Sequence, residues 1–308
     1  MFKYILKKVA SVVITMFLAS IFIFMIIRLI PGDPARLLLG EHATPEMVET
    51  ITQKYGLDKS YIEQYFIWIK GVLTGDCGNS IRTKMPVMYE IGIRYWKTFK
   101  LAVMAIVWSV IAGLLIGIWA GTHAQKWQDY TGITISVIGQ ALPEFWIGLM
   151  LILLFCVKLK IFPIMPDGSF KSLILPAFTM GAYMMSTVAR FMRSAIMEAL
   201  KEDYTRTARA KGLRERTVIY KHVLRNSIIP VITIIGMQFG VMLGGAVLVE
   251  SVFGYSGIGL LLVDSITYRD YPTLQMLILI ISLHLVVINM LIDVLYAVVN
   301  PEIRLGNQ

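Results

Sequence analysis

The sequence contains few of the residues that build catalytic or metal sites. Its 308 residues include two cysteines, Cys77 and Cys156, and four histidines. The cysteines are far apart and lack ligand spacing, so neither a disulfide framework nor a metal site is expected. No histidine belongs to an H-E-x-x-H pair, and no glycine directly precedes a lysine, which excludes the G-x-x-x-x-G-K-[ST] phosphate loop. We therefore expect no catalytic residue, metal site or cofactor in this chain.

Charged residues are also scarce. They make up 16% of the chain against 56% hydrophobic residues, and mean hydropathy is +0.68. Soluble domains carry about a quarter charged residues, so this balance indicates a membrane protein. The net charge of +9 might suggest nucleic acid, but much of the excess lies in one loop between apolar stretches. We attribute it to membrane topology and expect no nucleic-acid partner.

Six apolar stretches are each long enough to cross a bilayer, which predicts an all-α membrane protein with six transmembrane helices in one domain, residues 1–308. The first follows Lys3, Lys7 and Lys8, and its roughly 22 residues exceed the h-region of a signal peptide, so we interpret it as an uncleaved span. The predicted spans are residues 9–30, 99–122, 130–158, 173–194, 228–250 and 274–298.

The segment from Arg190 to Arg225 holds ten Lys or Arg against four Asp or Glu. Short loops rich in Lys and Arg stay in the cytoplasm. This predicts a cytoplasmic segment at residues 195–227, an external region at residues 31–98, and cytoplasmic N- and C-termini. Membrane lipid is the expected surrounding.

The cytoplasmic segment has the pattern of helix, glycine turn and helix, with Gly212 at the turn. Such a projection suits docking of a soluble partner, and the small residues Thr207, Ala208 and Ala210 favour close packing against one. The alternative is that its basic residues only attract lipid headgroups.

Two predicted spans carry a glycine at every fourth residue, which lets another helix approach closely. The neighbouring helix belongs either to this chain or to a second membrane subunit; both alternatives stay open. The glycines are Gly113, Gly117 and Gly121 in span two, and Gly236, Gly240 and Gly244 in span five.

Polar residues inside spans are the candidates for a translocation pathway. Asn289 and Asp293 are four residues apart and share a helix face, and Glu144 follows Pro143 in span three. Each can also serve a structural role, Asp293 by pairing with a basic residue near the membrane surface. The candidate pathway residues are Glu144, Gln238, Asn289 and Asp293.

The combination of "TARAKGL" and "HVLRNSIIP" resembles the coupling-loop signature of ABC importer permeases in the peptide/nickel branch. The similarity continues, in order, through "PGDPARLLLG", "YGLD", "GDCGNS", "LPEFWIGLMLI", "VESVFGYSGIGLLLVDSITYRDYP" and "DVLYAVVNPEIR", and so covers essentially the whole chain. Two positions depart from the pattern: Arg206 stands where the general E-A-A-x3-G signature has glutamate, and Cys77 where relatives commonly have an aromatic residue.

The resemblance implies half of an import channel in a bacterial cytoplasmic (inner) membrane. The implied partners are a second homologous permease, two ATPase subunits that bind ATP and Mg, and an extracytoplasmic substrate-binding protein. It implies binding-protein contact at Phe253, Tyr255, Asp264 and Arg269. The implied ATPase-coupling residues are Asp203, Tyr204, Thr205, Arg206, Thr207, Ala208, Arg209, Ala210, Lys211, Gly212 and Leu213.

The implied cargo is short peptides. Glutathione or nickel and other metal chelates, carried by the same architecture, are the alternative. Other classes of protein remain as rivals from the residues alone: a stand-alone secondary transporter, for which the chain lacks apparent repeat symmetry, and a membrane scaffold or receptor.

Overall fold

The computed structural model describes residues 2–29, 44–54 and 58–299. Within these ranges the chain is helical, with one isolated β-bridge between Asn79 and Pro86. The predicted all-α membrane fold is confirmed. The orientation of the termini stays a prediction, and the sequence stretches 31–40 and 300–308 lie outside the described residues.

The helices are numbered in chain order. They are α1 (Phe2–Leu29), α2 (Pro45–Lys54), α3 (Tyr61–Thr74), α4 (Val87–Thr122), α5 (Trp127–Ala141), α6 (Glu144–Leu151), α7 (Lys171–Ala199), α8 (Asp203–Ala210), α9 (Glu215–Thr217), α10 (Leu224–Phe253), α11 (Ile258–Thr267) and α12 (Tyr271–Val299), with π-helical segments π1 (Ile152–Lys158) and π2 (Val218–Val223).

Five helical stretches are long and apolar enough to cross a membrane, and up to seven if each of two bent helix pairs counts as one span. They are Leu6–Ile26, Val87–Thr122, Lys171–Ala199, Glu215–Gly240 and Tyr271–Ile292, and the bent pairs are Trp127–Ala141 with Glu144–Lys158 and Ala246–Phe253 with Ile258–Thr267.

The stretch predicted as one span at residues 130–158 is broken. Helix α5 and the helix that starts at Glu144 meet at 99°. Pro143 has no N–H to donate, and its ring disfavours the helical region for the preceding residue; Leu142 accordingly has an extended ψ of 129°. Helix α4 also differs from the prediction, because it begins at Val87, inside the region predicted as external.

The chain divides into two compact units. The first comprises residues 1–97 and 256–287, and the second comprises residues 98–255 and 288–308. Helices α4 and α12 contribute to both units because each continues across a boundary.

Helix α7 forms the centre of the second unit. Sixteen of its 29 residues are buried, and it packs against α5, α6 and α10. Its buried hydroxyls do not need partners elsewhere, because Thr179, Ser186 and Thr187 each donate to the carbonyl four residues earlier, at 2.9 to 3.0 Å. Donation to the preceding turn satisfies a polar side chain where no water is present.

The glycines of α4 lie directly against α7. A Cβ on Gly117 would lie 2.6 Å from both the Ala189 carbonyl oxygen and the Met192 Cβ. Gly113 meets Val188, and Gly121 meets Ile196, in the same way. This glycine stripe is therefore a contact within the chain, and the open alternative of a second subunit is excluded for these three positions. In span five, Gly236 faces Ile292 of α12.

A tryptophan further links α4 to α7. The Trp108 indole N–H donates to the Ala177 carbonyl at 2.7 Å, and its ring stacks on Phe178 with centroids 4.6 Å apart. Gly181 leaves room for the indole, since a Cβ there would lie 2.5 Å from the indole nitrogen. The two residues that Trp108 contacts, Ala177 and Phe178, directly follow Pro176, which has no backbone N–H to donate within α7.

In the first unit, α3 packs against α1. The Tyr65 and Trp68 rings lie 5.6 and 6.0 Å from the Phe24 ring, and the Tyr65 and Ser20 hydroxyls are 2.8 Å apart. Helix α3 begins with a capping box between Ser60 and Glu63 and ends at Gly75. Other aromatic and aliphatic residues of α3, including Tyr61, Phe66 and Ile67, are exposed.

A buried carboxylate fixes the loop that precedes α4. Asp270 is 3% exposed and accepts hydrogen bonds from the Ser80 hydroxyl, the Ile81 amide at 2.9 Å and the Thr273 hydroxyl at 2.9 Å. Beside it, Arg82 forms an ion pair with Asp264 at 2.7 Å. We call this network, formed by Ser80, Ile81, Arg82, Asp264, Asp270 and Thr273, the aspartate clasp.

Replacement of Gly117 by alanine should destabilise the chain. The added methyl group meets backbone on α7, and overpacking of this kind costs about 1–3 kcal/mol. The matched control is Gly92→Ala in the same helix, where nothing lies within 4 Å of the added Cβ, so the change should be neutral or stabilising. The measurement is the thermal unfolding midpoint of each purified variant in detergent. Equal midpoints for the two variants would contradict the close contact.

The aspartate clasp should depend on Asp270 more than on Asp264. Asp270→Asn removes the charge from a buried acceptor of three hydrogen bonds, each worth about 1.5–3 kcal/mol to a charged group. Asp264→Asn breaks a partly exposed pair worth about 0–1 kcal/mol. We expect limited proteolysis to cut within residues 78–86 much faster in the first variant than in the second. Similar cleavage rates would show that the loop is held by other contacts.

Candidate functional site

The predicted cytoplasmic segment folds as a short helix that projects between α7 and α10. Helix α8 covers Asp203–Ala210, with an acidic residue in its first turn and Arg209 in its last. Both charges suit the helix dipole, which favours negative groups at the start and positive groups at the end. The side chains of Asp203 and Arg206, one turn apart, lie 3.7 Å from each other.

Two inward-facing residues fix α8 to the membrane helices. Thr205 is fully buried, and its hydroxyl donates to the Ala199 carbonyl at the end of α7, at 2.7 Å. Ala208 is 5% exposed and belongs to the same apolar cluster as Val218 and Val223 of π2. At the start of α10, the Ser227 hydroxyl donates to the Ala195 carbonyl of α7 at 3.1 Å. Helix α8 is therefore held by both α7 and the segment that leads to α10.

The turn after α8 requires glycine and is closed by an ion pair. Gly212 has φ of +74°, a conformation that L side chains rarely adopt. Arg209 and Glu215, on either side of the turn, lie 2.6 Å apart. Arg209 donates two hydrogen bonds to the Glu215 carboxylate, which hold the two sides of the turn together.

The rest of α8 and its turn faces outward. Tyr204 and Leu213 are 37% and 40% exposed, and Thr207 and Ala210 are also exposed. Of the small residues that suggested contact with a partner, Ala208 instead packs inside the chain. We call the exposed side chains of Tyr204, Thr207, Ala210 and Leu213 the coupling face. A partner that contacts this face pushes on a helix fixed to α7, so the arrangement suits transmission of force.

The candidate pathway residues are placed separately. Glu144 lies in the first turn of α6, just after the break at Pro143, and is partly exposed. Gln238 on α10 is partly buried, and Asn289 on α12 is exposed. Within the described residues, no hydrogen bond or ion pair joins any two of them. The side chain of Asp293 lies outside the described residues. Their role in translocation stays a prediction.

The four residues predicted to contact a binding protein differ in exposure. Phe253 and Tyr255 are each 7% exposed, and the Phe253 ring packs against Gly148. Asp264 pairs with Arg82, and Arg269 is exposed at φ of +54°. Only Asp264 and Arg269 therefore present side chains on the surface of the described chain.

Sequence reasoning missed the residues that hold these elements in place. Ser80 and Asp270 are 190 residues apart, and nothing local in the sequence signals their pairing. Thr205 is one member of the predicted coupling segment, but its hydrogen bond to the Ala199 carbonyl depends on a bend of the backbone that no periodicity predicts. Among the described residues, no group of three His, Cys, Asp or Glu is placed to hold a metal ion.

Comparison with known proteins agrees with this arrangement over the whole chain. Residues 113–305 match the model of the family described as binding-protein-dependent transport system inner membrane component. Residues 1–105 match the N-terminal model of the same class of transport component. Among curated relatives, the glutathione transport system permease protein GsiC of Pectobacterium atrosepticum is 42% identical over 304 residues, which cover 99% of each chain. GsiC of Escherichia coli K12 is similar to the same extent.

Two solved structures show the same fold at low sequence identity. An amino acid ABC transporter crystallised with histidines has a TM-score of 0.56 at 18% identity, covering 68% of this chain and 94% of that one. The MetNI methionine ABC transporter in an inward-facing conformation has a TM-score of 0.57 at 14% identity, covering 70% of this chain and 98% of that one.

The full-length family match and the anchored helix between α7 and α10 lead to one conclusion: the chain belongs to the inner membrane components of binding-protein-dependent transport systems and is a permease subunit of an ABC importer.

Proposed function

We propose that this permease subunit forms half of the translocation pathway for short peptides, with glutathione as the first candidate. The second half belongs to a homologous permease subunit, two ATPase subunits bind ATP and Mg²⁺ on the cytoplasmic side, and an extracytoplasmic binding protein delivers the cargo. The proposal for cargo is supported by 42% identity over 99% of the chain to permeases of glutathione transport systems. The chain itself performs no hydrolysis in this scheme.

The observation that carries the coupling mechanism is the attachment of α8. The coupling face is exposed, whereas Thr205 and Ala208 on the opposite side are buried against α7 and π2. When the ATPase subunits close, the push on α8 passes through the Thr205–Ala199 bond to the end of α7. Helix α4 moves with α7, because their backbones touch at Gly113, Gly117 and Gly121.

The orientation in this scheme has both termini and the coupling segment in the cytoplasm. It is supported by the ten basic against four acidic residues between Arg190 and Arg225, since short basic loops remain inside. Asp264, a partly exposed member of the aspartate clasp, and the exposed Arg269 beside it then lie on the outer side, available to the binding protein.

The backbone strain that a side chain at position 212 would cause provides a test of coupling. Gly212→Val forces a β-branched residue into a left-handed conformation at about 1–2 kcal/mol, with no steric clash because nothing lies within 4 Å of the added Cβ. Gly168→Val is the matched control, since Gly168 has φ of +81°, equally open space, and a position in the loop before α7.

We expect ATP-driven peptide uptake to fall several-fold in Gly212→Val at normal membrane levels, and to change little in Gly168→Val. Asparagine at position 212, which tolerates this conformation better, should retain more uptake than valine. Equal effects at positions 168 and 212 would remove the special role of the coupling segment.

The composition and cargo are tested in the native cell. A tagged chain purified after gentle solubilisation should recover a second six-span permease and ATPase subunits, identified by mass spectrometry. Cells that lack the chain should lose uptake of labelled glutathione or of a labelled dipeptide, and re-expression should restore it. Recovery of the chain alone, by a procedure that preserves a known importer complex, favours a stand-alone transporter. Loss of nickel-chelate uptake with unchanged peptide uptake would replace the proposed cargo.

A further inference from the structure

A cavity of about 250 Å³ lies between α4, α5 and α7 in the second unit. Its aliphatic lining residues include Ile116 of α4 with Ile133 and Val137 of α5. Helix α7 contributes the polar side chains of Arg190 and Ser194. The lining is thus amphipathic, with a cationic side chain from α7 and aliphatic side chains from α4 and α5.

The charges around the cavity leave Arg190 uncompensated. Arg193, one turn away, also lines the cavity, but it forms a bidentate ion pair with Asp129. In this pair Arg193 Nη2 donates to Asp129 Oδ2 at 2.9 Å. Within the described ranges, no carboxylate lies within ion-pairing distance of Arg190; its guanidinium lies 5.8 Å from the ring of its neighbour Phe191. On the α5 side, the polar lining residues Gln140 and Ser136 donate to the Thr187 hydroxyl at 3.2 Å and to the Gly132 carbonyl at 2.8 Å. The cavity therefore carries one net positive charge available to a ligand.

The position along the helices indicates the depth of the cavity. Asp129 lies in the first turn of α5, three residues after Lys126, so its partner Arg193 lies near the cytoplasmic end of the membrane helices. Arg190 lies three residues before Arg193 on α7, about 4.5 Å deeper in the membrane. Its side chain is thus at the boundary between headgroups and hydrocarbon in the inner leaflet. This step rests on the proposed function, which puts the coupling segment in the cytoplasm.

The surface beside the cavity is apolar. Tyr130, Val137 and Ile138 of α5 are 63%, 57% and 51% exposed. Aliphatic side chains exposed at this depth contact acyl chains, with an aromatic residue nearer the interface. A ligand that enters from this side needs an anionic group for Arg190 and a hydrocarbon part for Ile133 and Val137. Basic pockets between membrane helices on the cytoplasmic side bind acidic lipid headgroups.

We propose that the α4–α5–α7 cavity binds an acidic phospholipid of the inner leaflet. Its phosphate accepts hydrogen bonds from the Arg190 guanidinium and the Ser194 hydroxyl, and an acyl chain lies along Ile133 and Val137. The bound lipid contacts α7, the helix to which the coupling segment is fixed, so the lipid composition of the membrane influences the element that moves during transport.

The test counts lipids on the purified complex. The importer complex is exchanged into mild non-ionic detergent with equal amounts of phosphatidylglycerol and phosphatidylcholine of identical acyl chains, and retained lipid is quantified by mass spectrometry. The wild type should retain phosphatidylglycerol preferentially. Arg190→Gln should lower that retention about fivefold, because it removes the charge that holds the phosphate within the cavity, and leave phosphatidylcholine unchanged. Ser194→Phe, which fills the cavity and keeps the charge, should lower it as well.

The matched control is Arg225→Gln, the same substitution at an exposed position in the first turn of α10. Phosphatidylglycerol retention should stay within about twofold of wild type, because Arg225 does not line the cavity. Equal losses for Arg190→Gln and Arg225→Gln would overturn the site in favour of general attraction to the leaflet. Unchanged lipid retention in Arg190→Gln, with a raised KM for peptide uptake, would instead assign Arg190 to the substrate carboxylate. Recovery of ATPase subunits in the same preparations tests the proposed function separately.

Discussion

The second unit depends on the direct backbone contact between α4 and α7. Three glycines at four-residue spacing bring α4 against the carbonyl groups and Cβ atoms of α7. In a bilayer, helices gain little from the exclusion of water, so close packing of small residues is the main source of their association. The rest of the unit follows from this contact, because α7 then offers its other faces to α5, α6 and α10.

The same helix joins packing to function. The buried hydroxyls of Thr179, Ser186 and Thr187 bond within the helix itself, so much of α7 can be buried without leaving these donors unsatisfied. Its last turn holds Thr205 of α8 and Ser227 of α10. A displacement of the coupling face therefore acts on the most buried helix of the unit. A well-packed interior transmits such a displacement because it is not compressible.

In the first unit, the aspartate clasp holds the loop before α4 in place. Asp270 is buried and accepts three hydrogen bonds, two of them from the loop before α4. A charged acceptor with several donors orders a loop more firmly than exposed ion pairs do. Asp264 of the clasp and the neighbouring Arg269 are consequently presented from an ordered surface, which suits the recurrent docking of a partner.

The sequence by itself determined the membrane-embedded helical class, the helix–glycine–helix form of the segment around Gly212 and the family, because these depend on composition, periodicity and local motifs. Only the tertiary structure decided which faces are inside. It placed the α4 glycines against α7, buried Phe253 and Tyr255, and turned Ala208 inward. It also placed Arg190 beside a cavity, with no carboxylate partner among the described residues. These features depend on contacts between residues distant in sequence, such as Ser80 with Asp270, and a linear pattern carries no information about which distant surfaces will meet.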